Sequence, residues 1–201
     1  MKAPLILQKL LPSITWRING AENKVYLTFD DGPIPEVTPW VLNLLKQYNA
    51  KATFFCIGNN VLKHPEIYQS ILDSGHQTGN HTQNHLNGWN VKNKNYFNDI
   101  AECDKYVSSK LFRPPYGKIK PSQIKQLKQN YKLIMWDVLS KDYDTLRTAE
   151  QCLQTVIRET KSGSIIVFHD SLKAEKNLRG SLPAVLDHFK QKGFEFARIE
   201  A

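Results

Sequence analysis

The sequence predicts an α/β domain built on a parallel sheet. Three observations predict it. Short apolar runs recur along the 201 residues, segments with apolar residues at helical spacing separate them, and unusual polar residues follow the ends of the runs. Alternation of about seven strands with helices implies crossover connections between parallel strands. An open doubly wound sheet and an incomplete barrel both satisfy that pattern, and periodicity does not choose between them.

The elements follow in order. Residues 24–29 read as a strand that stops at Gly32-Pro33. Residues 36–48 place Val37, Trp40, Val41, Leu44, Leu45 and Tyr48 at helical spacing. Residues 52–57 are a continuous apolar run, the pattern of a strand buried on both faces. A helix over 65–74 is stopped by Gly75, and a short strand over 76–79 ends in Asn80-His81. An Asn-rich loop over 84–95, holding Gly88 and Trp89, leads to a helix over 96–108. A brief strand over 110–112 runs into Arg113-Pro114-Pro115-Tyr116-Gly117. Pro121 opens a helix to about residue 130, since proline suits the first helical turn. A strand over 131–138, a helix over 148–161, a strand over 164–168, a helix over 182–192 and a last strand over 194–199 complete the chain.

Composition bounds the class. Hydrophobic residues make up 41% and charged residues 23%, the mix of an ordinary globular domain able to bury one substantial core. The net charge of +8 is spread along the chain without a dense basic run, so no nucleic-acid partner is expected. Cys56, Cys103 and Cys152 are widely spaced and form no disulfide framework; buried free thiols, compatible with a reducing compartment, are expected. Residues 1–23 are expected to be an extension packing on the domain of residues 24–201, with Leu5, Ile6, Leu10 and Leu11 forming a short amphipathic turn. Pro4, Gln8 and Lys9 interrupt the apolar start, so no signal peptide is read there. No stretch approaches the ~20 apolar residues of a membrane span. The expected location is cytoplasmic, with peripheral or envelope association as the alternative. Oligomeric state is not legible.

The polar residues carry the functional reading. Asp30 and Asp31 follow the first predicted strand, His81 and His85 the third, Arg113 and Tyr116 the fourth, Asp142 the fifth, and His169 and Asp170 the sixth. In a parallel sheet the carboxyl ends share one edge, so these side chains can converge on one site. Adjacent acids on an extended backbone point to opposite sides, which gives Asp30 and Asp31 different roles. In His81-Thr82-Gln83-Asn84-His85 a single helical turn would put both imidazoles on one face, able to grip one metal. Two histidines and a carboxylate leave coordination positions open, as catalytic zinc sites do. Two prolines stiffen the Arg113–Tyr116 segment, and Asp142 beside His169 would favour imidazolium.

Together these residues resemble the polysaccharide deacetylase family, the NodB-like or family 4 carbohydrate esterases. Thr28-Phe29-Asp30-Asp31-Gly32-Pro33 matches the family's first motif. His81-Thr82-Gln83-Asn84-His85 fits H-[ST]-x-x-H, Arg113-Pro114-Pro115-Tyr116 fits R-x-P-Y, Asp142-Tyr143 stands where Asp-Trp is usual, and Val167-Phe168-His169 is similar to L-x-H. The resemblance implies a distorted, incomplete (β/α)7-type barrel with parallel strands, and metal-dependent removal of acetyl groups from N-acetylglucosamine-containing glycans such as peptidoglycan or chitin. It implies Asp31, His81 and His85 as metal ligands, Asp30 as general base positioned by Arg113, and His169 as general acid with Asp142 behind it. The Tyr116 N–H would bind the oxyanion, with Pro115, Tyr143 and Val167 at the substrate. The implied cofactor is a divalent metal, zinc foremost, with cobalt, nickel or manganese as alternatives. Tyr143 and Val167 depart from the family pattern and imply an acetyl pocket of different shape.

Two other readings use the same residues. A non-haem Fe(II) oxygenase shares the two-His, one-carboxylate set, but usually on a β-rich fold. A sugar-binding module without chemistry would not need both an acid and a base.

Overall fold

The computed structural model describes residues 11–200. The turn expected over Leu5, Ile6, Leu10 and Leu11 therefore lies, Leu11 apart, outside the described residues. The strands are β1 (Ile14–Thr15), β2 (Lys24–Asp30), β3 (Ala52–Cys56), β4 (Gln77–Asn80), β5 (Leu111–Phe112), β6 (Lys132–Ile134), β7 (Val138–Leu139), β8 (Ile165–His169) and β9 (Glu195–Phe196). The helices are α1 (Thr38–Gln47), α2 (Gly58–Lys63), α3 (Pro65–Asp73), α4 (Asn93–Cys103), α5 (Pro121–Leu127), α6 (Ala149–Glu159) and α7 (Glu175–Gln191). Among the described residues no helix is long and apolar enough to cross a membrane.

The sheet order is β1-β6-β5-β4-β3-β2-β8-β7, with β9 beside the start of β2, and every strand pair is parallel. The strand expected over 131–138 is broken into β6 and β7, because the chain changes neighbours there. The Met135 N–H donates to Thr15 and the Asp137 N–H to Ile165. Asp137 stabilises the crossing by accepting from the Ile165 N–H at 2.8 Å and the Ser164 hydroxyl at 2.8 Å. The segment from β6 to β7 thus spans between the two margins of the sheet, whose edge strands are β1 and β7, and the curl is an incomplete barrel rather than an open doubly wound sheet.

Side-chain alternation sorts the strands into two faces. Val25, Leu27 and Phe29 of β2, Phe54 and Cys56 of β3, and Ile166 and Phe168 of β8 pack outward against Val41 and Leu45 of α1 and Leu178, Leu182 and Val185 of α7. Tyr26, Phe55, Leu111, Ile134 and Ile165 fill the interior with Ile199. On the interior face of β2, Tyr26 is therefore followed by Thr28 and Asp30. On β8, Ile165 is followed by Val167 and His169. Asp30 and His169 are register partners, so the upper end of the interior is polar where its lower end is apolar.

Local signals explain most boundaries. Gly75, at φ 72°, closes α3. Thr148 caps α6 by accepting the Gln151 N–H, and Gln151 accepts the Thr148 N–H in return. The last helix begins at Glu175, not at residue 182 as expected, and Pro183 lies inside it. Its added turns bury Asn177, Leu178 and Ser181, and Gly180 lies so close to Ala149 of α6 that a Cβ would come within 2.6 Å. That packing outweighs the missing proline N–H. The short α2 and β1 have no period long enough to read from sequence. The last strand is only Glu195–Phe196. Ile14 and Trp16 are buried beside α4, α5 and β6. Cys56, Cys103 and Cys152 are free and buried.

His76 is only 5% exposed, and its Nδ1 accepts the Ala52 N–H at 3.2 Å. Burial, with Lys51 and Arg198 nearby, pushes its pKa down to about 4. The ring is neutral in the fold but protonates below about 6.5 when unfolded. Stability is therefore complete above pH 6.5 and declines as pH falls toward 4, by about 2–3 kcal/mol for this one group. Thermal denaturation between pH 7 and 4 measures it. The His76→Asn variant, whose amide oxygen can still accept from Ala52, is expected to lose that part of the acid sensitivity.

Candidate active site

Asp30 ends β2 on the interior face and is nearly buried, at 4% exposure. The Arg113 guanidinium lies beneath it with no exposure, and Nη1 donates to Asp30 Oδ1 at 2.6 Å and to Thr28 Oγ1 at 2.7 Å. Nη2 donates to the Met135 carbonyl at 3.0 Å, and the planar group lies 4.0 Å from the Phe55 ring centroid. Burial alone would raise the Asp30 pKa, but the Arg113 charge overrides it and holds the carboxyl below its usual value.

Asp31 leaves the strand with φ 86°, a left-handed conformation that aspartate tolerates better than most residues. The turn thus begins at Asp31 itself rather than at Gly32-Pro33. It also revises the expected divergence of the two acids, because both line the same cavity. Asp170 fixes the turn from behind: Oδ1 accepts the Gly32 N–H at 3.0 Å and Oδ2 accepts the Thr38 hydroxyl at 2.6 Å. A Cβ on Gly32 would lie 2.0 Å from Asp170 Oδ2, so this approach requires glycine. Asn60 donates to the Asp31 carbonyl at 2.7 Å.

The segment from His81 to His85 is not a helical turn. Thr82 and His85 have φ of 64° and 55°, and side chains rather than a helix take up the backbone. Asn80 accepts the Thr82 N–H, while Asp99 of α4 accepts the N–H groups of Gln83 and Asn84. The imidazoles still meet, with ring centroids 5.1 Å apart. His81 Nδ1 faces the Arg113 carbonyl at 2.7 Å, so it must donate, which leaves Nε2 as a lone pair. Burial pushes His81 down to about 4 against the pull of Asp30 and Asp31, so the ring is neutral. Asp31 Oδ1 lies 3.3 Å from His85 Nε2 and 3.8 Å from His81 Nε2, and one ligand atom from each residue falls within 4.8 Å of the others. Two imidazole nitrogens and a carboxylate facing a cavity fit a divalent metal of the zinc type.

Asp142 grips His169 twice. Oδ1 accepts from Nδ1 at 2.8 Å and Oδ2 accepts the His169 backbone N–H at 2.8 Å. Ser140 and the Tyr143 N–H also donate to Asp142, and Asn177 of α7 donates to its carbonyl. Burial would lower the His169 pKa, but Asp142, helped by Asp31 and Asp30, holds it up at about 9.

These groups surround a cavity of about 600 Å³ lined by Asp30, Asp31, His81, His85, Tyr116, Trp136, Leu139, Tyr143, Val167, His169 and Lys173. Of the expected site residues, Arg113 and Asp142 stand behind the cavity wall, and Pro115 is buried without lining it. The prolines instead set up Tyr116, which takes φ 59°, and its N–H has no protein acceptor among the described residues. Trp136, Leu139 and Lys173 were not expected. The first two come from the segment where the chain changes strand neighbours, and Lys173 from the loop after β8. Asp170, although it follows a strand, is buried behind the Asp31 turn.

The family model described as polysaccharide deacetylase matches residues 17–133. A peptidoglycan-N-acetylglucosamine deacetylase of Bacillus cereus is 34% identical over 204 residues, covering 97% of this chain and 96% of that protein. A chitooligosaccharide deacetylase of Azorhizobium caulinodans is 32% identical over 162 residues, covering 77% of each. Among solved structures, a peptidoglycan N-acetylglucosamine deacetylase superposes with a TM-score of 0.89 at 31% identity, covering 98% of this chain and 95% of that one. A family 4 carbohydrate esterase from Streptomyces lividans in complex with acetate superposes with a TM-score of 0.80 at 26% identity, covering 90% and 95%.

The Arg113–Asp30 pair makes a double-mutant cycle informative. Arg113→Met leaves Asp30 and two carbonyls without a partner and is expected to cost about 3–5 kcal/mol. Arg113→Met combined with Asp30→Asn removes the stranded charge and should recover about 1 kcal/mol or more of that loss. Urea denaturation of the four proteins reads the coupling.

Proposed function

Because this chain belongs to the polysaccharide deacetylase family, we propose that it hydrolyses the acetamido groups of an N-acetylated glycan, with Asp30 as base and His169 as acid. The observation that carries the proposal is the pairing of these two register partners with opposite polarisation, one held anionic by Arg113 and the other held cationic by Asp142. Amide hydrolysis needs both: a group that takes the proton of the attacking water and a group that gives one to the leaving amine. The names of the similar proteins, which specify N-acetylglucosamine in peptidoglycan and chitooligosaccharides, support the substrate class.

Asp31, His81 and His85 would hold the metal, zinc foremost for a nitrogen-rich set with open positions. When bound there, such a cation polarises the acetyl carbonyl and lowers the pKa of water. The remaining roles fall to the chain itself. The free Tyr116 N–H is a donor for the oxyanion, a contact of the type worth several kcal/mol in the transition state. Leu139, Val167, Trp136 and the Tyr143 ring form the apolar wall against which an acetyl methyl packs. The Tyr143 ring stands edge-on to the His169 imidazole at 4.9 Å, which limits the ring's movement.

Acetate release from N-acetylglucosamine oligomers and peptidoglycan fragments, by protein loaded with Zn²⁺ or Co²⁺, tests the proposal. No release from any acetylated sugar would overturn it. Two variants divide the acids: Asp31→Ala is expected to lose bound metal, whereas Asp30→Ala retains metal and loses turnover by roughly 10²-fold or more. Equal metal loss in both would contradict the division.

The pH profile carries a separate expectation. His169 serves as acid while protonated, so activity should fall as pH rises through about 9. Asp142→Asn removes the group that holds the imidazole up. The alkaline limb of kcat/KM should then move to lower pH, and an unmoved limb would assign it to another group.

A further inference from the structure

We infer that Trp89 forms a sugar-stacking platform beside the catalytic cavity, holding a neighbouring residue of the glycan whose acetylated unit occupies that cavity. The inference rests on the glycan reading above. Trp89 and Tyr116 are the exposed aromatic side chains among the described residues, at 55% and 60% exposure, and the Trp89 indole packs on Lys118 and Ile119, which closely follow Tyr116 in the chain. Tyr116 lines the cavity, with its ring 4.5 Å from that of His85. Trp89 is four residues beyond His85, at most about 14 Å of extended chain.

The indole is held in place from several sides. Its Nε1–H donates to the Ile119 carbonyl at 3.0 Å, and the backbone N–H donates to Asn87 Oδ1 at 3.0 Å. Gly88 packs so tightly that a Cβ would come within 2.6 Å of the Lys118 carbonyl. The fully buried Gln123 donates to the Gly88 carbonyl at 2.9 Å and accepts the Lys120 N–H at 2.8 Å. A buried polar side chain thus anchors a loop whose product is an exposed, immobile tryptophan. Lys118 places its ammonium 4.0 Å from the ring centroid on one face, and the residue as a whole stays 55% exposed.

The chemistry fits a sugar. The C–H face of a pyranose carries partial positive charge toward the electron-rich aromatic face, and a preorganised ring contributes contact area with little loss of side-chain entropy. Tyr116 lines the cavity and Trp89 packs on the Lys118-Ile119 segment just after it, and that proximity selects a chain extending from the reacting sugar rather than an unrelated partner.

The test compares monomeric and hexameric N-acetylglucosamine as substrates of the wild type, Trp89→Ala and Trp89→Phe. In Trp89→Ala the hexamer-to-monomer ratio of kcat/KM is expected to fall by roughly five- to tenfold, through KM, while Trp89→Phe keeps most of it. Calorimetric binding of the hexamer to Asp30→Asn protein, with and without Trp89→Ala, should show the same loss without turnover. An unchanged ratio and unchanged binding would overturn the inference. An equal fall on both substrates would make Trp89 a structural residue, which overturns it as well. Absence of acetate from every substrate with the wild type would instead sink the deacetylase reading, and the binding measurement would still decide on the platform.

Discussion

A guanidinium with no solvent exposure sits under the floor of the site, and much of the barrel's upper end depends on it. Arg113 donates to Thr28 and Asp30 on β2 and to the Met135 carbonyl in the segment where the chain leaves one strand neighbour for another. A chain that changes partners there interrupts the ladder, and a buried carbonyl without a donor is costly. Arginine suits this position because its rigid fork supplies several donors at once while its flat face lies on Phe55. Burying such a group is itself expensive, so the Asp30 carboxylate is as much a requirement of the barrel as of the proposed chemistry. The Arg113 carbonyl then orients His81, so one residue links the barrel seam, the Asp30 carboxylate and the tautomer of a metal-ligand candidate.

The same logic separates the histidines. His76, His81 and His169 are each largely enclosed, yet the first two are pushed to about 4 and the third is held at about 9. The partner of Nδ1 distinguishes them. In His76 it accepts a backbone N–H, in His81 it faces a carbonyl, and in His169 it meets a buried carboxylate. Of the three, only the carboxylate hydrogen-bonded to the ring, Asp142 on His169, outweighs the desolvation of an imidazolium. The fold therefore assigns different protonation states to chemically identical side chains, which lets a neutral nitrogen donor and a proton donor share one cavity.

The sequence exposes the parts of this arrangement that depend on period and spacing. Strand β2 differs from its expected limits by one residue, and Asp30, Asp31, His81, His85, Tyr116 and His169 all line the cavity because parallel strands end on one edge. What it conceals depends on tertiary contacts. The left-handed turn at Asp31 is fixed by Asp170 and Asn60, residues distant in the chain. The histidine segment is shaped by Asp99 of α4 instead of by its own hydrogen bonds. The break between β6 and β7 is marked only by Asp137 in an otherwise apolar run. Trp136 reads as an ordinary strand residue and Leu139 as the residue just past that strand, and only the change of neighbours brings them to the cavity.

The cavity is consequently assembled from two parts of the chain with different physics. Residues from Asp30 to Tyr116 supply charge, nitrogen donors and a free backbone N–H, and their positions are tied by hydrogen bonds to buried polar groups. Residues from Trp136 to Lys173 supply the apolar wall and the cationic imidazole. Moving a carboxylate or an imidazole in the first part by a fraction of its hydrogen-bond length forfeits a charge-assisted contact, which is a steep penalty. Exchanging one apolar wall residue for another costs much less if volume is kept. Tyr143 and Val167 therefore stand where the fold can accept substitution, in the apolar wall and apart from the pair of Asp30 and His169. Asp142 is the exception within the second part. Because it binds both the ring and the backbone of His169, the imidazole stays fixed while the wall around it varies.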